Sequence, residues 1–296
     1  MVLSNPCEYQ RRYLLAKEFI KHMQDNQDVI LYIVEMVYRK CDNVYQEYHI
    51  TEAGNPFHLQ LKADVPLWHK ENMIDLGIKN LLPQNWKAVA WIDADIEFEN
   101  PNWACDTLKI LNESKDIIQL FSHALDMDRD ENTMHLFHSF GYQYETGKDY
   151  YAYGVNYWHP GFAWAMTHTC YDKFGEIFPW GILGAGDYHI SHALIGVSST
   201  LNIDSSEGYK RKLVELTNKS RNIILGYCPG VIRHFFHGSK KNRKYRERWQ
   251  ILVKYHYDPF IHMMKDENGV IIPTPECPIG LLNEILQYFC ERKEDE

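Results

Sequence analysis

Apolar positions follow two rhythms along the chain, and their alternation predicts its architecture. Val2 to Ser4 reads as a very short strand, stopped by Asn5-Pro6. From about Glu8 to Met23, Leu15, Phe19 and Met23 recur at helical spacing, as do Ala16 and Ile20. DVILYIVEMVY, Asp28 to Tyr38, is a continuous apolar run with one interior acid, Glu35. Such a run suits a parallel strand covered on both faces. Tyr48 to Ala53 and Leu59 to Ala63 are expected as short strands. A helix over roughly Leu67 to Leu82 carries Ile74, Ile78, Leu81 and Leu82 on one stripe until Pro83 stops it. Ala88 to Ile92 is the next strand. Asn102 is placed to cap a helix through Trp103, Ile110 and Leu111, and Asp116 to Phe121 is strand-like again. Repeated alternation over the first 125 residues predicts an α/β fold with a mainly parallel sheet.

The second half is less regular. Met127 to Trp158 is polar, aromatic and glycine-bearing, and reads as long loops, a lid or a substrate-binding insert. Phe162 to Met166 returns to strand, with a short helix near Tyr171 to Phe174. WGILGAGD is a glycine-rich turn into a helix at about Tyr188 to Ile195. A polar helix covers Ser206 to Lys219, and ILGYCPGVIRHFFHG reads as paired strands around Pro229-Gly230. A last helix runs from Gly280 to Glu291. No internal repeat or linker divides the 296 residues.

Composition narrows the class. A net charge of −9 argues against general nucleic-acid affinity. The 7 cysteines form no CxxC pair, so neither a disulfide framework nor a structural zinc site is expected, and a reducing compartment fits. No apolar run reaches the roughly 18 residues of a membrane helix, and MVLSNPCEYQRR has no apolar signal core. The expectation is a soluble cytoplasmic protein. GxSxG, HExxH and Walker-type loops are absent, against a serine hydrolase, a zincin or a P-loop ATPase.

Four segments carry candidate chemistry. Asp93-Ala94-Asp95 follows the strand Ala88 to Ile92. If strand geometry persisted, both carboxylates would point to one face, where Mn2+ or Mg2+ would neutralise them and bridge to phosphates. The competing reading is a pair of solvated loop acids. Arg233-His234-Phe235-Phe236-His237-Gly238-Ser239 precedes Lys240, Lys241, Asn242, Arg243 and Lys244. His237 or His234 offers a nitrogen ligand, and the cations suit a diphosphate. The plain alternative is a structural histidine and a solvated basic face. Asp187 is either a helix N-cap or a carboxylate base for an acceptor hydroxyl, a role also open to His189. His159 to Trp164 offers aromatic stacking or plain core. Trp68-His69-Lys70-Glu71-Asn72 opens a helix, where backbone N–H groups suit an anion.

WIDADIEF, GFAWAMT, WGILGAGD and HFFHGSKKNRKY, in that order, resemble the landmarks of nucleotide-sugar-dependent glycosyltransferases of the GT-A fold. The likeness spans roughly Asp28 to Tyr245 and is nearest to glycosyltransferase-like proteins of large DNA viruses and bacteria. The resemblance implies a Rossmann-type three-layer α/β/α sandwich as a single domain over 1–296. Its nucleotide part would cover about 1–125, its acceptor part about 126–250 and a helical extension 251–296. It implies Asp95 as main metal ligand, Asp93 on ribose or metal, and His237 as distal ligand, with His234 as alternative. Asp187 matches the catalytic base of inverting members. Lys70, Asn72, Lys240 and Arg243 would contact the donor, and Trp164, Trp180, His159 and His189 the acceptor. A UDP-sugar donor, Mn2+ (or Mg2+), and a carbohydrate or glycoprotein acceptor follow, in the host cytoplasm if virus-encoded. Two departures stand out: a single acid follows the glycines, and the first strand is only Met1 to Ser4. A sugar-activating nucleotidyltransferase and a non-catalytic nucleotide- or sugar-binding protein are the competing classes.

Overall fold

Strand β1 (Val2–Ser4) is followed by helix α1 (Gln10–Gln24), strands β2 (Ile33–Tyr38) and β3 (His58–Ala63), and helix α2 (Lys70–Leu81). The computed structural model describes all residues except 27, 153, 155, 198–203 and 246. β1, β2 and β3 form an all-parallel sheet, with Val2 opposite Val34 and Ile33 opposite His58. Every residue of β2 is buried, as its apolar run requires. Its interior acid is fully used: the Glu35 carboxylate accepts the N–H groups of His49, Ile50 and Thr51 and the Thr51 hydroxyl. That is why Tyr48 to Ala53 is not the expected strand: its backbone donors wrap around a carboxylate. Helix α2 starts later than Leu67 because the Trp68 N–H is taken by the Ile182 carbonyl. It stops before Leu82, which Pro83 holds extended.

The middle of the chain builds β4 (Ala88–Ile92), β5 (Ile96–Phe98), α3 (Trp103–Glu113), β6 (Ile117–Gln119), β7 (His123–Met127) and β8 (Thr133–Ser139). Then come α4 (Phe140–Glu145), β9 (Trp158–His159), β10 (Ala163–Thr167), α5 (His168–Phe174), α6 (Gly186–Leu194), α7 (Glu207–Lys219), β11 (Leu225–Tyr227) and β12 (Val231–His234). One sheet has the order β11-β6-β10-β4 and a second β5-β12-β7-β8-β9. Both are mixed: β10 runs antiparallel to β4 and β6, and β12 antiparallel to β5 but parallel to β7. The fold is α/β with several sheets, and the expected mainly parallel central sheet gives way to mixed pairing. Met127 to Trp158 is not only loops, since β8 and α4 lie within it. β8 was hidden because Met134 and Leu136 are exposed, leaving no apolar face to read. Asn102 sits at the start of α3 without a side-chain cap; its N–H donates to Asn100 instead.

The two strands around Pro229-Gly230 do not pair with each other. β11 joins β6 and β12 joins β7, each in parallel. The chain passes from one mixed sheet to the other five times, at 93–95, 99–116 (through α3), 120–122, 160–162 and 228–230. Two of these crossings carry candidate chemistry, Asp93 to Asp95 and Pro160 to Phe162.

The C-terminal part adds α8 (Glu247–Lys254), α9 (Pro259–His262), a β13 (Met263–Lys265) and β14 (Ile271–Pro273) hairpin, and α10 (Ile279–Glu291). α10 buries Leu281, Ile285, Tyr288 and Phe289. The tail after it folds back: Asp295 accepts the N–H groups of Gln10 and Arg11, capping α1 from the far end of the chain. The seven cysteines are free thiols. Among the described residues no helix is long and apolar enough to cross a membrane.

Candidate metal centre and adjoining recess

The register between β5 and β12 sets the first half of the site. His234 lies opposite Ile96, so its ring reaches the residue before it, Asp95. The Phe235 N–H closes on the Asp95 carbonyl, and the chain turns back to place His237 Nε2 2.8 Å from Asp95 Oδ2. His234 Nε2 is 3.8 Å from the same oxygen. One ligand atom from each of Asp95, His234 and His237 can be chosen so that all lie within 4.8 Å of one another. His234 Nδ1 donates to Asp126 Oδ1 at 2.7 Å on the neighbouring β7, which leaves its Nε2 lone pair facing Asp95. A carboxylate behind a histidine in this way fixes the ligand tautomer.

Electrostatics sharpen this geometry. Burial opposes the Asp95 charge, but His237 and His234 more than offset it and hold the carboxyl well below its usual range. Burial pushes His234 below its ordinary value, against Asp95 and Asp126. Asp126 is buried yet held at about 2 by His234 and Lys240. One detail fits a cation. Asp95 Oδ1 is buried with no hydrogen-bond partner. His237 Nε2 also sits 2.7 Å from Arg243 Nη2, a donor. Two imidazoles and one carboxylate form a softer set than the all-oxygen sites of Mg2+ and favour Mn2+ of the two expected ions.

The second half lies on the other side of the crossing. The strand ends at Ile92, and Ala94 and Asp95 form a turn. Asp93 and Asp95 therefore do not converge as continued strand geometry would require. Asp93 Oδ1 pairs instead with Lys70 Nζ at 2.5 Å, and Asp93 is not part of the Asp95–His234–His237 cluster. Lys70, Glu71, Trp91, Phe162, Trp164, Ile177, Asp187 and Ile190 line a small recess. A β-carbon on Gly161 would stand 2.9 Å from Asp187 Oδ2, and one on Gly186 2.4 Å from Glu71 Oε1, so both carboxyls press on glycine backbone. Phe162 has a left-handed φ of 81°, a strained conformation for a bulky residue. Its carbonyl accepts the Asp93 N–H, and its ring packs between His159 and His234, at centroid distances of 4.1 and 4.6 Å. It therefore touches both halves.

Burial pushes Glu71 up to about 8, against Lys70 and with Asp187 adding to the rise. The folded protein thus holds a proton on Glu71 that the unfolded chain releases near pH 4.5. Stability falls with pH wherever the folded state binds more protons. Glu71 should make the protein progressively less stable from about pH 4.5 to about pH 8, with no further change above. Glu71→Gln is expected to gain on the wild type across that window, most at the alkaline end. Urea melts at pH 5 and 8 check this, and equal gaps at both pH values would contradict it.

No family model and no curated protein matches the chain. The functional reading therefore stands on the arrangement itself.

The structure sorts the expected site residues. It brings together Asp95, His237 and His234, adds Arg243 through His237, and places Lys70, Asp93 and Asp187 about one recess. Lys240 is 2.5 Å from Asp126 and 4.6 Å over the Phe137 ring. Asn72 does not face the recess: buried, it donates to Gly269 and accepts from Ile271, tying α2 to the C-terminal hairpin. Trp164 is 1% exposed and stacked on Trp91; it backs the recess as core and offers no free face. Trp180 turns its ring to Lys212 and Lys265. His189 is core, bonded to the Tyr209 hydroxyl and pushed down to about 3 by burial. His159 stacks on Phe162 rather than standing open. The missed groups are Asp126, Glu71 and Glu294, whose Oε2 stands 3.8 Å from His237 Nδ1. For Asp126 a signal existed, an acid inside an apolar strand, costly unless paired.

Proposed function

We propose that the protein is a metal-dependent glycosyltransferase of GT-A type that moves a sugar from a UDP-sugar to a hydroxyl of a carbohydrate or glycoprotein, with inversion. The observation that carries this reading is the Asp95–His234–His237 cluster, joined through one three-residue crossing to a recess lined by Asp187 and by Lys70, which pairs with Asp93. A divalent cation held there would act as a Lewis acid on the donor diphosphate. Burial pushes the Asp93 carboxyl up against the opposing charge of Lys70, and the pair stands where a ribose or sugar hydroxyl can bond to it. Glu71 stays protonated through neutral pH, so Asp187 is left to take the proton from the acceptor hydroxyl. The oxygen then forms its bond to the anomeric carbon as the bond to the diphosphate oxygen breaks. Arg243 stands beside the cation cluster to meet the charge that leaves. Direct attack of this kind inverts the anomeric centre.

Asp187→Asn should keep Mn2+-dependent UDP binding and lose transfer by roughly 10²–10⁴-fold, the usual contribution of a general base. Unchanged transfer would remove Asp187 from the role. The reading as a whole is tested with UDP-, GDP- and dTDP-sugars, with and without Mn2+, by thermal shift and sugar release. Ligands of the native state raise its apparent stability. Metal-dependent stabilisation by a UDP-sugar with slow hydrolysis supports a transferase. Turnover of sugar 1-phosphate with UTP would point to a nucleotidyltransferase, and stabilisation without turnover to a binding protein.

A further inference from the structure

The end of the chain brings an arginine cluster to the site. Arg12 and Arg292 both bind Glu294, which is 1% exposed. Arg243 and Arg248 have no such carboxylate. Arg243 donates to His237 Nε2 and to the Tyr245 hydroxyl at 3.1 Å. Arg248 Nη1 donates to the Tyr288 hydroxyl at 2.9 Å, and Tyr288 donates in turn to the Arg243 carbonyl at 3.2 Å. The rest of the Arg248 surroundings is aromatic, with Trp68 at 5.6 Å and Tyr245 at 5.1 Å. Neither guanidinium makes an ion pair among the described residues, both residues are half-buried, and Arg243 Nε is buried with no hydrogen-bond partner.

Their placement gives the cluster a direction. Arg243 touches the metal-ligating edge of His237. The Arg248 guanidinium lies against Gly184, 3.1 Å from where a β-carbon would stand, three residues before Asp187. Two partly desolvated cations, neither in direct contact with a carboxylate among the described residues, thus lie one beside the cation cluster and one beside the Asp187 loop. A planar guanidinium matches a phosphate oxygen pair in geometry and charge.

We propose that Arg248, together with Arg243 and braced by Tyr288, seats a phosphate group of the donor between the metal triad and the Asp187 loop. This rests on the glycosyltransferase reading and goes beyond it by assigning the phosphate seat to α8 and α10, elements outside the DxD and HFFHG motifs. It makes the diphosphate, rather than the base or the sugar, the part of the donor these C-terminal elements recognise.

Inorganic pyrophosphate with Mn2+ is the probe, titrated calorimetrically into the full chain at constant ionic strength. Wild type should bind it in a Mn2+-dependent way. Arg248→Gln should weaken that binding about 10- to 100-fold, the worth of a charge-assisted hydrogen bond, while Mn2+ affinity in the absence of pyrophosphate stays within about threefold of wild type, since loss of the phosphate seat leaves all three ligands in place. Lys210→Gln, half-buried on α7 and paired with Glu207, should change nothing. Arg248→Lys, which keeps the charge but not the fork, should fall between the two and serves as the test if the glutamine variant does not fold. Wild-type binding with both Arg248 variants equal to it overturns the inference and leaves the glycosyltransferase reading intact. Absence of any Mn2+-dependent pyrophosphate binding by wild type overturns both.

Discussion

Asp95→Asn is expected to abolish Mn2+ binding at the triad and, with it, metal-dependent binding of a UDP-sugar. Asp95 is the carboxylate that faces both histidines, and its Oδ1 has no partner other than the cation the site implies. An amide offers neither the charge nor two equivalent oxygens. The loss should exceed the 10- to 100-fold typical of an outer-shell partner. Asp126→Asn supplies that comparison. It removes the carboxylate behind His234, along with its ion pair to Lys240, and should weaken Mn2+ by about 10- to 100-fold without erasing it. Calorimetric Mn2+ titrations of wild type and both variants measure the series. Mn2+ affinity in Asp95→Asn equal to wild type would place the ion elsewhere.

Glu294→Ala should cost the fold more than any other surface-distant charge removal in the tail. Glu294 receives Arg12 from α1 and Arg292 from the end of α10, and its carboxylate is held well below its usual range by them, against burial. Deleting it leaves Arg292, itself 4% exposed, with an uncompensated buried charge. Breaking such a buried pair from one side costs about 3–5 kcal/mol. Because Asp295 caps α1 from the same tail, α1 should fray as well, and amide exchange in the first turn of α1 should rise. A midpoint shift in denaturant worth under about 1 kcal/mol, within the range of an exposed pair, would show that the tail is not so anchored.

The parts of the fold most legible in the sequence are its continuous apolar runs. β2 and β4 follow their apolar runs, and β4 has the expected bounds, Ala88–Ile92. The first residues of the DVILYIVEMVY run fall outside β2, since hydrophobicity alone does not say where hydrogen-bonding partners end. β5, β7 and β8 were not expected, being three to seven residues long with little periodicity. In the site, Asp95 with His234 and His237 was legible as chemistry, because a costly acid and two nitrogen ligands complete each other. The convergence of Asp93 with Asp95 was not, because a two-residue repeat holds only while the backbone stays extended. Trp164 and His189 show the other limit, since residue type does not tell which side of an element faces the core. Asp126 meets His234 across 108 positions and Arg12 meets Glu294 across 282. Such pairs exist only once the sheets and the tail are in place.

Phe162 gives the two halves of the site a common currency. Its ring rests on His234 and its carbonyl holds the Asp93 amide, so a shift that improves one contact is felt at the other. Coupling between two ligands is reciprocal by thermodynamic necessity. The factor by which Mn2+ tightens donor binding must therefore equal the factor by which the donor tightens Mn2+. Phe162→Ala, which keeps the carbonyl but loses the ring, should shrink both factors together and bring the two affinities closer to independence.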